Sequence, residues 1–203
     1  KDPLAVARDN RPLVLENRDN GNEKPSKTPK PQPKFPQSAP RGNWKSVAPM
    51  ETLQAEVKKI RNRLTRSMRT VGTYRGNYQD IRVQGATLSA VAAIVIKHPG
   101  SVSWKPHAAH VRDLGTRIEE AANGLGRKDF EATQVPYEQL IALLSGNQPA
   151  DLAFADRKVE FADCAERGGL MKRMQKAFDY LKQNVNTQAA FREHAENAMH
   201  EAT

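Results

Sequence analysis

Apolar residues recur at helical spacing through most of the chain after Pro49. This spacing places them on one face of an amphipathic helix. No alternating run of β-branched residues longer than Ile94–Ile96 interrupts the pattern. The sequence therefore predicts an all-α body. In the first stretch, six large apolar residues follow one another at intervals of three or four: Leu53, Val57, Ile60, Leu64, Met68 and Val71.

Pro, Gly and Asn residues divide this body into segments that we predict to be separate helices. Pro136 is expected to kink or interrupt one of them, and Gly168–Gly169 is the expected weak point of the longest. Helices of about 20 residues joined by short loops are typical of an antiparallel up-down four-helix bundle, here with an additional N-terminal helix. The predicted segments run from Pro49 to near Gly72–Gly76, and over residues 77–98, 104–124, 129–144, 151–185 and 186–203.

Residues 1–48 differ sharply in composition from the body. They hold eight of the thirteen prolines, and ten Lys or Arg against five Asp or Glu. Such a segment cannot bury enough apolar surface to offset the entropy of ordering, so we predict a disordered, semi-extended basic leader. A basic, Pro-rich segment ahead of a helical body is typical of exported bacterial envelope proteins. We therefore expect a periplasmic or secreted protein whose signal peptide, if it has one, is already removed.

The residue inventory excludes several classes of protein. A single cysteine, Cys164, excludes an internal disulfide, a four-cysteine zinc site and C-x-x-C-H haem attachment. We expect it to be a small buried residue within a helix. The richest apolar stretch, Ala86–Ile96, is about half the length that spans a bilayer, so no transmembrane helix is predicted. No nucleophile elbow, phosphate-binding glycine loop or zinc-protease motif occurs, and we predict neither enzyme activity nor catalytic residues.

The histidines are the candidate metal ligands. His107 and His110 are three residues apart, on neighbouring positions of one helix face, and could share a metal ion. Two imidazoles alone make a weak site, so no metal site is predicted. His194 and His200 are six residues apart and project in nearly opposite directions, and we predict that both are solvated.

The strongest charge feature of the body is the segment 56–82, where eight Lys or Arg accompany one Glu and one Asp. A basic helix of this density can contact a nucleic-acid backbone or an anionic membrane surface. However, the charges surround the apolar stripe, and only Tyr74 and Tyr78 are near enough to stack on bases. A solvated helix exterior is therefore the simpler interpretation. The candidate anion-binding residues are Arg61, Arg63, Arg66 and Arg69.

One stretch of the body resembles the first two helices of the cytochrome c-prime family. It comprises Tyr78-Gln79-Asp80-Ile81-Arg82, the small-residue run 86–95, His98-Pro99 and Trp104. Members of that family are four-helix bundles of bacterial periplasms that hold one haem. The resemblance implies that residues 77–98, 104–124, 129–144 and about 156–185 correspond to the four bundle helices.

The haem chemistry of that family does not carry over to this chain. The family's fourth helix bears C-x-x-C-H, whose cysteines form thioethers and whose histidine is the proximal ligand. The corresponding segment here, Cys164 to Gly168, contains no histidine. No cofactor is predicted, and a non-covalent haem would need an inward imidazole from His107, His110 or His194. A similarity between residues 78–90 and 191–202 leaves open that residues 186–203 begin a second bundle.

These observations favour a non-enzymatic, exported helical-bundle protein that binds a partner protein or a small ligand between its helices. Two alternatives stay open. One is a haem-binding electron-transfer protein with non-covalent haem. The other is a binder of nucleic acid or an anionic surface through the basic helix 56–82. The sequence does not identify the partner or the oligomeric state.

Overall fold

The computed structural model describes residues 44–152, 155 and 159–202. Within these residues there are six α-helices of 14 to 27 residues, one helix of four residues, and no strand. The predicted all-α class is therefore confirmed. The helices are α1 (Trp44–Val47), α2 (Met50–Ser67), α3 (Val71–Lys97), α4 (Ala108–Ala121), α5 (Arg127–Leu144), α6 (Arg167–Asn184) and α7 (Gln188–Ala202).

The break between α2 and α3 lies at residues 68–70, so the prediction of a break at Gly72–Gly76 was wrong. The Thr70 hydroxyl accepts a hydrogen bond from the backbone N–H of Thr73 at 3.1 Å. The Thr73 hydroxyl in turn accepts one from the backbone N–H of Thr70 at 3.0 Å. This reciprocal capping starts α3. Both glycines lie inside the helix because a glycine weakens a helix by about 1 kcal/mol without ending it.

The apolar core is built mainly from α2, α3, α4 and α5. The predicted stripe of α2 is confirmed from Leu53 to Met68, whose apolar members are at most 6% exposed, while Val71 is half-buried at the start of α3. Burying a large apolar side chain stabilises a fold by about 1.5–3 kcal/mol, so these residues fix how α2 sits on the other helices. The same core cluster contains Tyr74, Ile81, Leu88, Val95, Val111, Leu114, Ile118, Leu140 and Leu143.

The other helices pack around α3, which contacts α2, α4, α5 and α6 and has its most extensive contact with α4. Gly85 of α3 and Gly115 of α4 face each other at this crossing. A Cβ atom on Gly85 would lie 2.7 Å from the Gly115 carbonyl oxygen, and one on Gly115 would lie 2.8 Å from the Ser89 nitrogen. The two backbones are therefore in direct contact, and neither position has room for a side chain.

Two middle helices differ from their predicted bounds. A short 3₁₀ turn, Lys105–His107, precedes α4, which ends at Ala121 instead of near residue 124. The helix α5 continues through Pro136, where a kink or interruption was predicted. The Pro136 ring is buried, so the free energy gained from its packing offsets the loss of the backbone hydrogen bond that proline cannot donate.

In the segment predicted to be helical from residue 151, the described residues form a 3₁₀ turn at Phe161–Asp163 and then an α-helix that begins at Arg167. The expected weak point, Gly168–Gly169, forms the first turn of α6. A Cβ atom on Gly169 would lie 2.8 Å from the Ala86 Cβ of α3. The glycine therefore lets the beginning of α6 approach α3 closely, which local periodicity does not reveal.

The leader was predicted to span residues 1–48. Its residues 1–43 lie outside the described residues. Its last residues include α1, and Ala48 is buried. Among the described helices, none combines the length and the apolar character needed to cross a membrane.

Candidate functional site

An open groove with a cavity volume of about 640 Å³ is lined by residues of α1, α2, α3, α6 and α7. Its size lies in the range of small-molecule sites, which are about 300–1,000 Å³. Apolar side chains form most of its wall, as in sites that bind ligands by excluding water. They include Val47, Leu53, Val91, Ile94, Met174, Phe178 and Leu181.

The α6 wall of this groove carries large apolar side chains that no part of the described chain covers fully. Met174 is 63% exposed and Phe178 is 61% exposed. Four residues apart, they lie on the same face of α6. Clustered exposed apolar side chains of this kind mark surfaces that bind other molecules.

Four charged or titratable side chains line the same groove and tie α2, α6 and α7 together. Glu56 accepts hydrogen bonds from Arg173 Nε at 3.1 Å and from the His200 ring, whose Nε2 lies 2.7 Å from Glu56 Oε2. Arg173 also donates from Nη1 to Glu201 Oε2 at 2.6 Å. We call these four residues the groove cluster. It places both signs of charge beside apolar walls.

At the centre of the groove cluster, the shifted pKa values of Glu56 and Arg173 both favour the charged forms. Burial alone would raise the pKa of Glu56, but the hydrogen bonds and charges of His200 and Arg173 outweigh it, and the pKa lies below its ordinary value of 4.5. Burial acts to lower the pKa of Arg173, but the Glu56 charge and the Glu201 hydrogen bond raise it above its ordinary value. A ligand in the groove therefore meets a fixed guanidinium and a fixed carboxylate.

The prediction that His200 is solvated was wrong, because its side chain is only 11% exposed and is bonded to Glu56. The partner is 144 residues away in sequence, so no local pattern shows the contact. A weak signal did exist in α2. Glu56 lies within the apolar stripe, three residues after Leu53 and four before Ile60. A carboxylate at a buried helix position indicates a partner of opposite charge elsewhere in the fold.

None of the three histidines predicted as haem or metal candidates lines this groove. His107 belongs to the 3₁₀ turn before α4 and His110 to the first turn of α4, with ring centroids 6.3 Å apart. Both are half-buried, as is His194 on α7. Within the described residues, no group of three or more His, Cys, Asp or Glu side chains is placed to hold a metal ion.

Cys164 is 2% exposed, which confirms the predicted burial, but it lies in the bend between the 3₁₀ turn and α6 and not in a helix. Its thiol donates a hydrogen bond to the Glu160 carbonyl oxygen at 3.2 Å. Its own carbonyl accepts hydrogen bonds from the hydroxyls of Ser89 and Thr116. Burial raises the pKa of the thiol, against a smaller opposing effect of Arg112. Cys164 therefore joins the segment before α6 to α3 and α4.

The four candidate anion-binding arginines do not form one surface. Arg63 and Arg66 line a polar cleft that also contains Tyr180 of α6. Arg61 lines a different cavity, beside Trp104 and Leu144. Positions 61 and 63 differ by about 200° around a helix, which accounts for the separation. The fourth, at position 69, is exposed in the turn between α2 and α3.

No family model, curated protein or solved structure matches this chain in the comparisons made. The similarity of residues 78–104 to the cytochrome c-prime family therefore stays a prediction from the sequence.

Proposed function

We propose that this chain is a non-enzymatic, exported binding module that takes an amphipathic small molecule in the groove between α2, α3, α6 and α7. In this proposal α3, α4, α5 and α6 are the helices of a cytochrome c-prime-like four-helix bundle, and α2 is an additional helix. The observation that carries the proposal is an apolar groove of about 640 Å³ with the groove cluster in its wall.

The two parts of the groove have different roles in binding. The apolar wall supplies affinity, at about 25 cal/mol for each Å² of apolar surface removed from water. The groove cluster supplies orientation, because Arg173 and Glu56 offer hydrogen bonds of fixed direction to a polar group of the ligand. The expected ligand therefore has an apolar body and at least one hydrogen-bonding or charged group.

The same contacts support a binding role over a catalytic one. The charged side chains of the groove cluster bond to one another, and their pairing holds Glu56 ionised, which suits a fixed anion better than a general base. The Cys164 thiol is buried and its pKa is raised, so it is a poor nucleophile.

The test is calorimetric titration of the full chain with 1-anilinonaphthalene-8-sulfonate, a probe with an apolar body and one charged group. Ala177→Trp puts a large side chain into the groove that Ala177 lines. Gln183→Trp adds the same side chain at an exposed position of α6 and serves as the control. We expect saturable binding that Ala177→Trp weakens by about tenfold or more, since lost burial of about 1.4 kcal/mol is a factor of ten. Equal affinities of the two variants would refute the groove as the site.

A non-covalent haem is the second candidate ligand, because His200 brings an imidazole into the groove wall. Thioether attachment does not fit this structure, since the chain has one cysteine and its sulfur is buried against Glu160. A bound haem would supply redox or gas-binding chemistry. His200 would hold the haem iron, after giving up its hydrogen bond to Glu56, and Arg173 would pair with a haem carboxylate.

Haemin titration followed by visible absorption tests this second candidate. The expected result is a saturable Soret band that is lost in His200→Ala and retained in His194→Ala. A band of equal intensity in both variants would contradict ligation by His200 and indicate haem adsorbed elsewhere.

A further inference from the structure

A polar cleft with a cavity volume of about 350 Å³ lies between α2, α6 and α7. It adjoins a second polar cavity of about 530 Å³, with which it shares four lining residues. We call the smaller cavity the basic cleft. Its lining residues are Lys59, Asn62, Arg63, Arg66, Tyr180, Asn197 and Glu201.

The basic cleft carries an excess of positive charge. Lys59, Arg63 and Arg66 have no carboxylate within ion-pair distance in the part of the chain that the structure describes. The one acidic residue of the cleft, Glu201, is already bonded to Arg173. Three cations that converge on a concave surface repel one another, and an anion bound between them relieves that repulsion.

The three cations are arranged on one face of α2. Positions 59, 63 and 66 follow the i, i+4, i+7 spacing, so their side chains project toward the same side of the helix. The guanidinium of Arg66 is partly fixed because its Nε donates to the Asn62 carbonyl oxygen at 3.3 Å. Arginine presents a planar fork of N–H groups that matches two oxygens of a phosphate or carboxylate.

Neutral hydrogen-bond donors complete the cleft. Tyr180, Asn62 and Asn197 are among the lining residues, and each has a side chain with a neutral donor. Together with the cations they can donate to several oxygens of one bound group. A site that combines three cations with three neutral donors suits a compact anion rich in oxygen.

We propose that the basic cleft binds a small oxyanion with two or more negative charges, of the pyrophosphate class. The volume of about 350 Å³ and the placement of Arg61 on another side of α2 favour a small anion over a nucleic-acid strand, which needs a continuous track of cations. The basic cleft shares Glu201 with the apolar groove, but its three cations do not line that groove, so its affinity for the anion does not depend on the proposed function.

The test is calorimetric titration of the full chain with inorganic pyrophosphate at low ionic strength. Arg63→Gln and Lys59→Gln each remove one cation from the cleft. Arg61→Gln and Arg69→Gln remove the same charge from positions outside it. We expect saturable binding that each cleft variant weakens by about tenfold or more, the loss typical of one hydrogen bond to a charged group. The two control variants are expected to change the affinity by less than about threefold, the size of a screened long-range effect.

Two outcomes overturn the proposal. One is the absence of saturable pyrophosphate binding, whether or not a long single-stranded DNA binds tightly, and the other is an equal loss of affinity in all four variants. Far-UV circular dichroism checks that each variant folds. Arg63→Lys provides a second measure at this position, because it keeps the charge but loses the planar fork. Its affinity is expected to lie between those of the unmodified chain and Arg63→Gln.

Discussion

The contact between α3 and α4 at Gly85 offers a sharp test of the fold. A Cβ atom at this position would lie 2.7 Å from the Gly115 carbonyl oxygen and 2.8 Å from the Glu119 nitrogen. The first distance is about 0.7 Å short of ordinary van der Waals contact at 3.4 Å. Both atoms belong to the backbone of α4, so no side-chain rotation can relieve the clash. Gly85→Ala must therefore push the two helices apart.

Two opposing effects set the size of the change. Replacing a glycine inside a helix by alanine favours folding by about 1 kcal/mol. Forcing an extra methyl group into a tight contact costs about 1–3 kcal/mol. The upper end of this range applies here, because the atoms that the methyl group meets belong to the backbone of α4. The net expectation is a loss of about 2 kcal/mol in the free energy of unfolding. At about 2–4 °C per kcal/mol for a chain of this size, the melting temperature falls by about 4–8 °C.

Gly76→Ala is the matched control, since Gly76 lies in the same helix and a Cβ atom there would meet nothing within 4 Å. We expect this variant to be more stable than the unmodified chain by about 0.5–1 kcal/mol. Urea unfolding followed by circular dichroism gives both values. A Gly85→Ala variant that is stabilised as much as Gly76→Ala would refute the direct contact of the two backbones.

Three further predictions concern charge and burial. Glu56→Gln is expected to lower the free energy of unfolding, measured by urea titration, by about 3 kcal/mol, because it leaves the half-buried Arg173 with a weakened partner. The control is Glu166→Gln, which alters the exposed ion pair with Arg82. It should change the free energy of unfolding by less than about 1 kcal/mol. Since the folded-state pKa of Glu56 lies below 4.5, its stabilising contribution is complete above about pH 4.5 and is lost as the pH falls through the folded-state pKa. Urea unfolding of the unmodified chain across pH 3 to 6 should therefore show an acid-induced loss that is smaller in Glu56→Gln, and equal losses would contradict this assignment. The Cys164 thiol should react with Ellman's reagent only as fast as the chain opens, so rapid reaction of the folded protein would show that the thiol is not buried as described.

The helical class and the buried stripe of α2 were predictable because both follow from a 3.6-residue period within one short segment. The start of α3 was not predicted, although its signal is local. Thr70 and Thr73 cap each other, but the glycines two and six residues after Thr70 gave a more familiar signal for the end of a helix. A capping interaction of about 1 kcal/mol was therefore enough to decide where the helix begins.

The groove was not predictable from the sequence, because it is formed by five helices from two distant parts of the chain, α1 to α3 and α6 to α7. His200 illustrates the reason. Both His200 and His194 were predicted to be solvated, but the partner of His200, Glu56, lies on a helix near the other end of the described chain. The separation of Arg61 from Arg63 could have been predicted from the sequence, since side chains two positions apart in a helix project to nearly opposite sides.

The most direct test of the account is a two-dimensional ¹H–¹⁵N NMR titration of the full chain with the sulfonated naphthalene probe. The account predicts saturable shifts concentrated at groove residues such as Leu53, Val91, Ala177 and Leu181, together with the side-chain signals of Arg173. Shifts concentrated instead at exposed apolar residues outside the groove, such as Leu125 and Val135, would contradict the groove as the binding site.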